Sequence, residues 1–190
     1  RSYTAKSKPM SSLIRNSQQR HHINLKYCIF LVVLGSLVYG NHLQNPFQFD
    51  TVAYVNNQHR LDNIEEQLNI NFLKKQLSQR GLFQISVAFN AYLDGFRPLG
   101  YHLFNLIFHL INSLLLYFIT FKAWVYFKLG RLHPKECEIR SISLLTAALF
   151  LLHPIQTESV VYIMSRSEVL AATFYLCAFL LFQTYLDRDS

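Results

Sequence analysis

Two uncharged apolar runs, Ile142–Leu152 and Val169–Phe182, bracket a polar stretch that opens with His153 and holds Thr157, Glu158 and Arg166. Pro154 ends the first run's helix, because proline lacks an N–H and its ring clashes with the preceding turn. Thr157 and Glu158 can open a new turn, the threonine oxygen capping it and the acid meeting the positive helix end. Ser165-Arg-Ser-Glu168 has the spacing of a capping box, which predicts that the last apolar helix begins near it. The order read from these signals is helix, polar loop with a short helix, helix.

Two more apolar segments come earlier. Ile23–Gly40 has an apolar heart, Tyr27–Tyr39. That is short against the ~20 residues a bilayer crossing needs, but Lys26 can snorkel and the flanks contribute. A signal peptide cleaved at Val38-Tyr-Gly40 is the competing reading. Tyr101–Phe121 is a full span and can run on to Phe127 with a tilt, leaving Trp124 and Tyr126 at the interface. Ser141–His153 is a short span that works if its helix starts near Cys137, and Val169–Leu186 is the last. The chain therefore reads as an all-α polytopic membrane protein with about four transmembrane helices. Charged residues make up only 15% of the 190, well below the ~25% of soluble domains.

The net charge is +7. No basic run interleaved with aromatics accompanies it, so nucleic acid is not an expected partner. Residues 1–26 hold six Lys/Arg and no acid, residues 41–99 hold five of each, and residues 121–140 hold five Lys/Arg and two acids. This alternation places the N-terminus and Lys122–Arg140 in the cytoplasm, with Asp50 and His153–Arg166 outward. A bacterial inner membrane and an ER membrane both fit.

Residues 1–22 are polar and basic and are expected to form a disordered tail, leaving 23–190 as the membrane domain. Its first outward loop covers 41–100. Within it Leu61, Ile64, Leu68, Phe72, Leu73 and Leu77 fall at helical spacing, which predicts an amphipathic surface helix. Leu82–Leu93 is too short to span and reads as a re-entrant or interfacial helix ended by Asp94-Gly95. Cys28, Cys137 and Cys177 make no metal or redox motif and read as free thiols. The chain opens with Arg and stops after an apolar helix, so it is expected to be a piece of a longer protein.

His102, Asn105, His109 and Asn112 form one stripe on the second span. Polar groups there must face protein or water. They serve either interhelical hydrogen bonding or, at His102, a lipid-phosphate site. Zinc is not expected, since two turns, roughly 10 Å, separate the histidines; a divalent metal finds no support elsewhere either, and the cofactor is unknown. Arg166 can grip a phosphate through its planar fork, or pair with Glu158 to hold the loop. His153 can instead satisfy backbone freed by Pro154. Arg97, before Pro98 at the mouth of the span, can meet phosphate or lipid headgroup.

The pattern H-P-x-x-T-E-x-V followed by R-x-E-x-L-A resembles the loop after the third membrane helix of a family of membrane O-mannosyltransferases. These are GT-C-type enzymes with tetratricopeptide repeats behind a multi-pass front half. Phe96-Arg-Pro-Leu-Gly-Tyr-His-Leu-Phe-Asn-Leu-Ile-Phe-His109 is similar to the family's G-Y-H-x-x-N-x-x-x-H helix, and Phe47-Gln-Phe-Asp50 resembles its first-loop acidic motif. The likeness runs over roughly residues 45 to 186. It implies transfer of a sugar, mannose, from a polyprenyl-phosphate donor to a protein hydroxyl, with membrane lipid, donor and protein acceptor as partners. Asp50 would then be the general base, or else a turn residue after Phe49. Glu158 would hold the loop and, with Asp50, bracket a cation or the acceptor, with Arg166, His102, Arg97 and His153 near the donor phosphate. The family usually has two adjacent acids where this chain has Asp50-Thr51. A non-catalytic membrane scaffold and a lipid-handling or transport protein are the rival functions, although no related halves of the transporter kind are visible. Such GT-C domains have more than four spans, so this piece is expected to be inactive alone.

Overall fold

The computed structural model describes residues 10–48, 50–52, 81–95, 97–127 and 135–186. Regular structure among them is helical throughout. The order is α1 (Met10–Tyr39), a 3-10 turn (Gly40–His42), α2 (Gly81–Asp94), α3 (Pro98–Phe127), α4 (Glu136–Leu152), α5 (Gln156–Val161), a 3-10 turn (Ile163–Ser165) and α6 (Arg166–Leu186). The surface helix expected over 61–77 lies outside the described residues.

Helix boundaries follow local chemistry. Pro98 sits at the first position of α3, where its missing N–H has no helical partner to lose. Gly95 ends α2 with a positive φ of 62° and returns its N–H to the Ala91 carbonyl at 2.9 Å. That left-handed stop suits a residue without Cβ. α4 stops at Leu152, and His153 turns extended at φ −62°, ψ 129°, as a residue before proline must. Two expectations shift. α1 begins at Met10, so residues 10–22, expected as a disordered tail, carry helical backbone continuous with the first span. After Pro9 the sequence has no proline or glycine before Gly35, and its Leu, Gln and Arg residues favour helix. Thr157 does not cap α5: the cap position is Ile155, with no side-chain bond, and Thr157 lies inside the first turn.

Among the described residues, three stretches are long and apolar enough to cross a membrane: Leu25–His42, Pro98–Trp124 and Ile163–Leu186. α4, the expected short third span, starts at Glu136 beside Cys137 and has 17 residues. At 1.5 Å per residue it rises about 25 Å, less than the ~30 Å hydrocarbon core.

α3 is the hub. It packs along α4 and α6, while α1 closes against α3 and α4. Leu31, Tyr117, Ala147 and Leu151 form the buried centre of this contact. α1 approaches closely at Gly35, where a Cβ would lie 2.5 Å from Leu110 and 3.1 Å from Leu151. α1 and α4 run toward one end of the bundle, and α3 and α6 run away from it. Segments 43–48 and 50–52, α2 and α5 gather at that end, over a second buried cluster of Phe83, Val87, Tyr101 and Ile163. At the opposite end Lys122 Nζ donates to Thr184 Oγ1 at 2.9 Å, and Arg140 pairs with Glu136 under the Phe121 ring.

Candidate functional site

Each helix break at the gathered end leaves backbone carbonyls without their helical donors. In a membrane interior such orphans cost several kcal/mol each, by order of magnitude, unless side chains take them. After α4 the Ile155 N–H turns to His153 Nδ1, at 3.3 Å. The Leu151 carbonyl is taken up by Tyr39 Oη at 3.0 Å and His109 Nε2 at 3.3 Å. After α5, Tyr162 is extended at φ −87°, ψ 113°. Asn105 Nδ2 meets the carbonyls of Ser159 and Tyr162, at 3.5 and 3.3 Å. Asn112 Nδ2 donates to the Val169 carbonyl at 3.1 Å, and His102 Nε2 bonds the Asn45 carbonyl at 3.2 Å. All four residues of the α3 stripe are buried. The stripe therefore hydrogen-bonds neighbouring helices and, through His102, the segment after α1.

Arg166 belongs to the same buried layer. Its side chain is 0% exposed. Nε donates to Asn105 Oδ1 at 3.0 Å, Nη2 to the Tyr101 carbonyl at 3.1 Å and Nη1 to Ser86 Oγ at 3.4 Å. The guanidinium also lies over the Phe104 ring, 4.3 Å from its centre, a favourable seat for a desolvated cation. The N–H groups of Arg166 thus serve protein acceptors from α2 and α3. The expected Glu158–Arg166 pair is also absent among the described residues, since Glu158 is exposed and Arg166 is enclosed.

The two carboxylates singled out by sequence do meet. Asp50 and Glu158 line one open cleft of about 550 Å³ with Gln48, Thr157, Val161 and Tyr162. The first wall is positioned by Phe47, whose ring packs edge-on against Tyr101 with centroids 5.5 Å apart. The Thr51 N–H then returns to the Gln48 carbonyl at 3.1 Å, which turns Asp50 outward to an exposed position. The second wall is α5, with Glu158 in its first turn, where the helix end favours a negative charge. Tyr162 closes the cleft and donates its phenol to Asp50 Oδ2 at 3.4 Å. Thr51, where the family has its second acid, is 1% exposed and its hydroxyl has no partner. An acid there would be buried away from the cleft.

Of the other candidates, Arg97 stands exposed at the α2–α3 corner, with Nη1 3.7 Å from Asp94 Oδ1. His153 is exposed and bonded locally. Neither lines the cleft, and His102 is buried on α3. Sequence reasoning missed Tyr162, Gln48 and Ser86. Tyr162 carried one usable signal: it is four residues after Glu158, on the same face of any helix covering both.

No family model matches the chain, and no solved structure does. Several proteins of known name do. The chain is 32% identical over 163 residues to the protein O-mannosyl-transferase TMTC1 of Homo sapiens, covering 80% of this chain and 17% of that protein. It is 30% identical over 168 residues to TMTC3 of Mus musculus, covering 83% and 17%. It is 36% identical over 110 residues to TMTC4 of Homo sapiens, covering 54% and 14%. This chain accordingly spans less than a fifth of the length of these relatives.

Proposed function

This chain belongs to the family of the protein O-mannosyl-transferases TMTC1, TMTC3 and TMTC4, and from that premise we propose that it forms part of a membrane glycosyltransferase. The transferase moves mannose from a polyprenyl-phosphate donor to a serine or threonine hydroxyl of a protein. The observation that carries the reading is the convergence of Asp50 and Glu158, from separate loops, on one open cleft at a single end of the helical bundle.

In this reading an Asp50 carboxylate oxygen accepts the proton of the acceptor hydroxyl as the hydroxyl oxygen attacks the anomeric carbon. The bond from that carbon to the phosphate oxygen breaks, and the lipid phosphate leaves with the electron pair. Attack from the face opposite the phosphate inverts the sugar carbon. A positioned base of this kind contributes roughly 10²–10⁴-fold. Glu158, opposite Asp50 on the cleft wall, orients the acceptor. Among the described residues, Arg97 and His153 are exposed basic groups at the same end of the bundle and suit a phosphate headgroup. Among the described residues one acid of the first loop, Asp50, lines the cleft and Glu158 supplies a second, which favours catalysis over a degenerate scaffold. The charge alternation along the sequence supports an N-terminus in the cytoplasm and a cleft on the outer side. Bacterial inner membrane and ER membrane are both compatible with it.

The test is Asp50→Asn in the purified full-length protein, given polyprenyl-phosphate mannose and an acceptor peptide. Turnover is expected to fall by at least about 100-fold while thermal stability stays unchanged, because Asp50 is exposed. Undiminished turnover would remove Asp50 from the mechanism.

A further inference from the structure

The two loops that form the cleft are joined through one phenol. We propose that Tyr162 is a positioning residue for Asp50, fixing which carboxylate oxygen is free to take a proton; this rests on the reading of Asp50 as the base. Among the described residues Asp50 is held by little beyond the Tyr162 phenol, since it is exposed and its turn shows one backbone bond, from the Thr51 N–H to the Gln48 carbonyl. Tyr162 is the opposite case. Its N–H donates to the Glu158 carbonyl at 2.9 Å, and its carbonyl receives the Ser165 N–H at 3.1 Å. The same carbonyl receives Asn105 Nδ2 at 3.3 Å. Asn105 is itself 0% exposed and clamped by Arg166 Nε at 3.0 Å. Tyr101 and Ser86 then fix the guanidinium from two helices.

A rigid buried layer therefore holds the backbone of Tyr162, and the phenol carries that order out to Asp50 Oδ2. The 3.4 Å separation is longer than the ~2.7–2.8 Å of an optimal O–H···O bond. Catalytic hydrogen bonds are often long in unliganded proteins and tighten when the complex forms. With Oδ2 engaged by the phenol, Oδ1 is the oxygen left for the acceptor proton. Misplacing a reacting group by about 1 Å can cost on the order of 100-fold, so an untethered Asp50 is a poorer base even with its chemistry intact. Arg166 thus affects the reaction through Asn105 and Tyr162 without touching donor.

The experiment compares Tyr162→Phe, Asp50→Asn and the unaltered full-length enzyme. Tyr162→Phe is expected to lower kcat about tenfold, with the KM for lipid-linked donor and the melting temperature unchanged. Asp50→Asn is expected to abolish turnover. Wild-type kcat in Tyr162→Phe, with Asp50→Asn inactive, would overturn the positioning role and leave the base in place. Parallel losses of melting temperature and activity in Tyr162→Phe would assign Tyr162 to packing and overturn it as well. Retained turnover in Asp50→Asn would remove the base itself, and the positioning role with it.

Discussion

At the cleft, Asp50 and Glu158 stand exposed, and Glu158 meets no cation among the described residues. On the other side of Tyr162, Asn105, His109, Asn112 and Arg166 are buried to within a few per cent, and each has an acceptor. Both regions are rich in the residue types that carry chemistry. They differ because the buried side chains bond protein acceptors, some of them carbonyls freed at helix breaks, whereas Asp50 and Glu158 line an open cleft. The accounting of backbone acceptors separates structure from chemistry here better than residue type does.

The contrast can be broken most forcefully at Arg166. Arg166→Ala would take the donor from Asn105 Oδ1 and one donor from the Tyr101 carbonyl, a loss of about 2–5 kcal/mol of stability. Reversible unfolding in detergent would measure it. Asn105→Leu should come next, at about 1–3 kcal/mol, because the Tyr162 carbonyl keeps the Ser165 N–H. His109→Leu should cost about 1 kcal/mol, since Tyr39 still serves Leu151. Glu158→Gln sharpens the comparison from the other side: stability should not change while acceptor KM rises, as steady-state kinetics on the full-length enzyme would show. A cleft residue whose replacement lowers stability, or a stripe residue whose replacement leaves it unchanged, would erase the distinction.

Much of this architecture was legible in the sequence. The apolar runs marked α3 and α6, Pro154 marked the end of α4, and Asp94-Gly95 marked the end of α2. The helical spacing of His102, Asn105, His109 and Asn112 correctly put them on one face. Length resolved less, because α4 has enough apolar residues to suggest a span but too few turns to cross at full thickness. Arg166 was the harder case. An arginine at a helix start beside the polar end of a bundle reads identically whether it holds a phosphate or three protein acceptors. Its partners come from Ser86, Tyr101 and Asn105, at distances along the chain that no local pattern encodes. Thr157 was mistaken for a cap because the Pro154 turn starts α5 two residues earlier than the threonine suggests. The tail's composition hid its helix, since a polar, Ser- and Gln-rich sequence is compatible with both disorder and helix.

The most direct measurement of the division between cleft and buried layer is turnover per folded molecule for Arg166→Lys, beside Asp50→Asn, in the full-length enzyme. Lysine cannot reproduce three directed N–H groups at once. The account predicts that Arg166→Lys shrinks the folded fraction while its surviving folded molecules keep the wild-type donor KM, and that Asp50→Asn stays folded and inactive. A fully folded Arg166→Lys with a raised KM for the lipid-linked donor would contradict it, returning Arg166 to the donor phosphate.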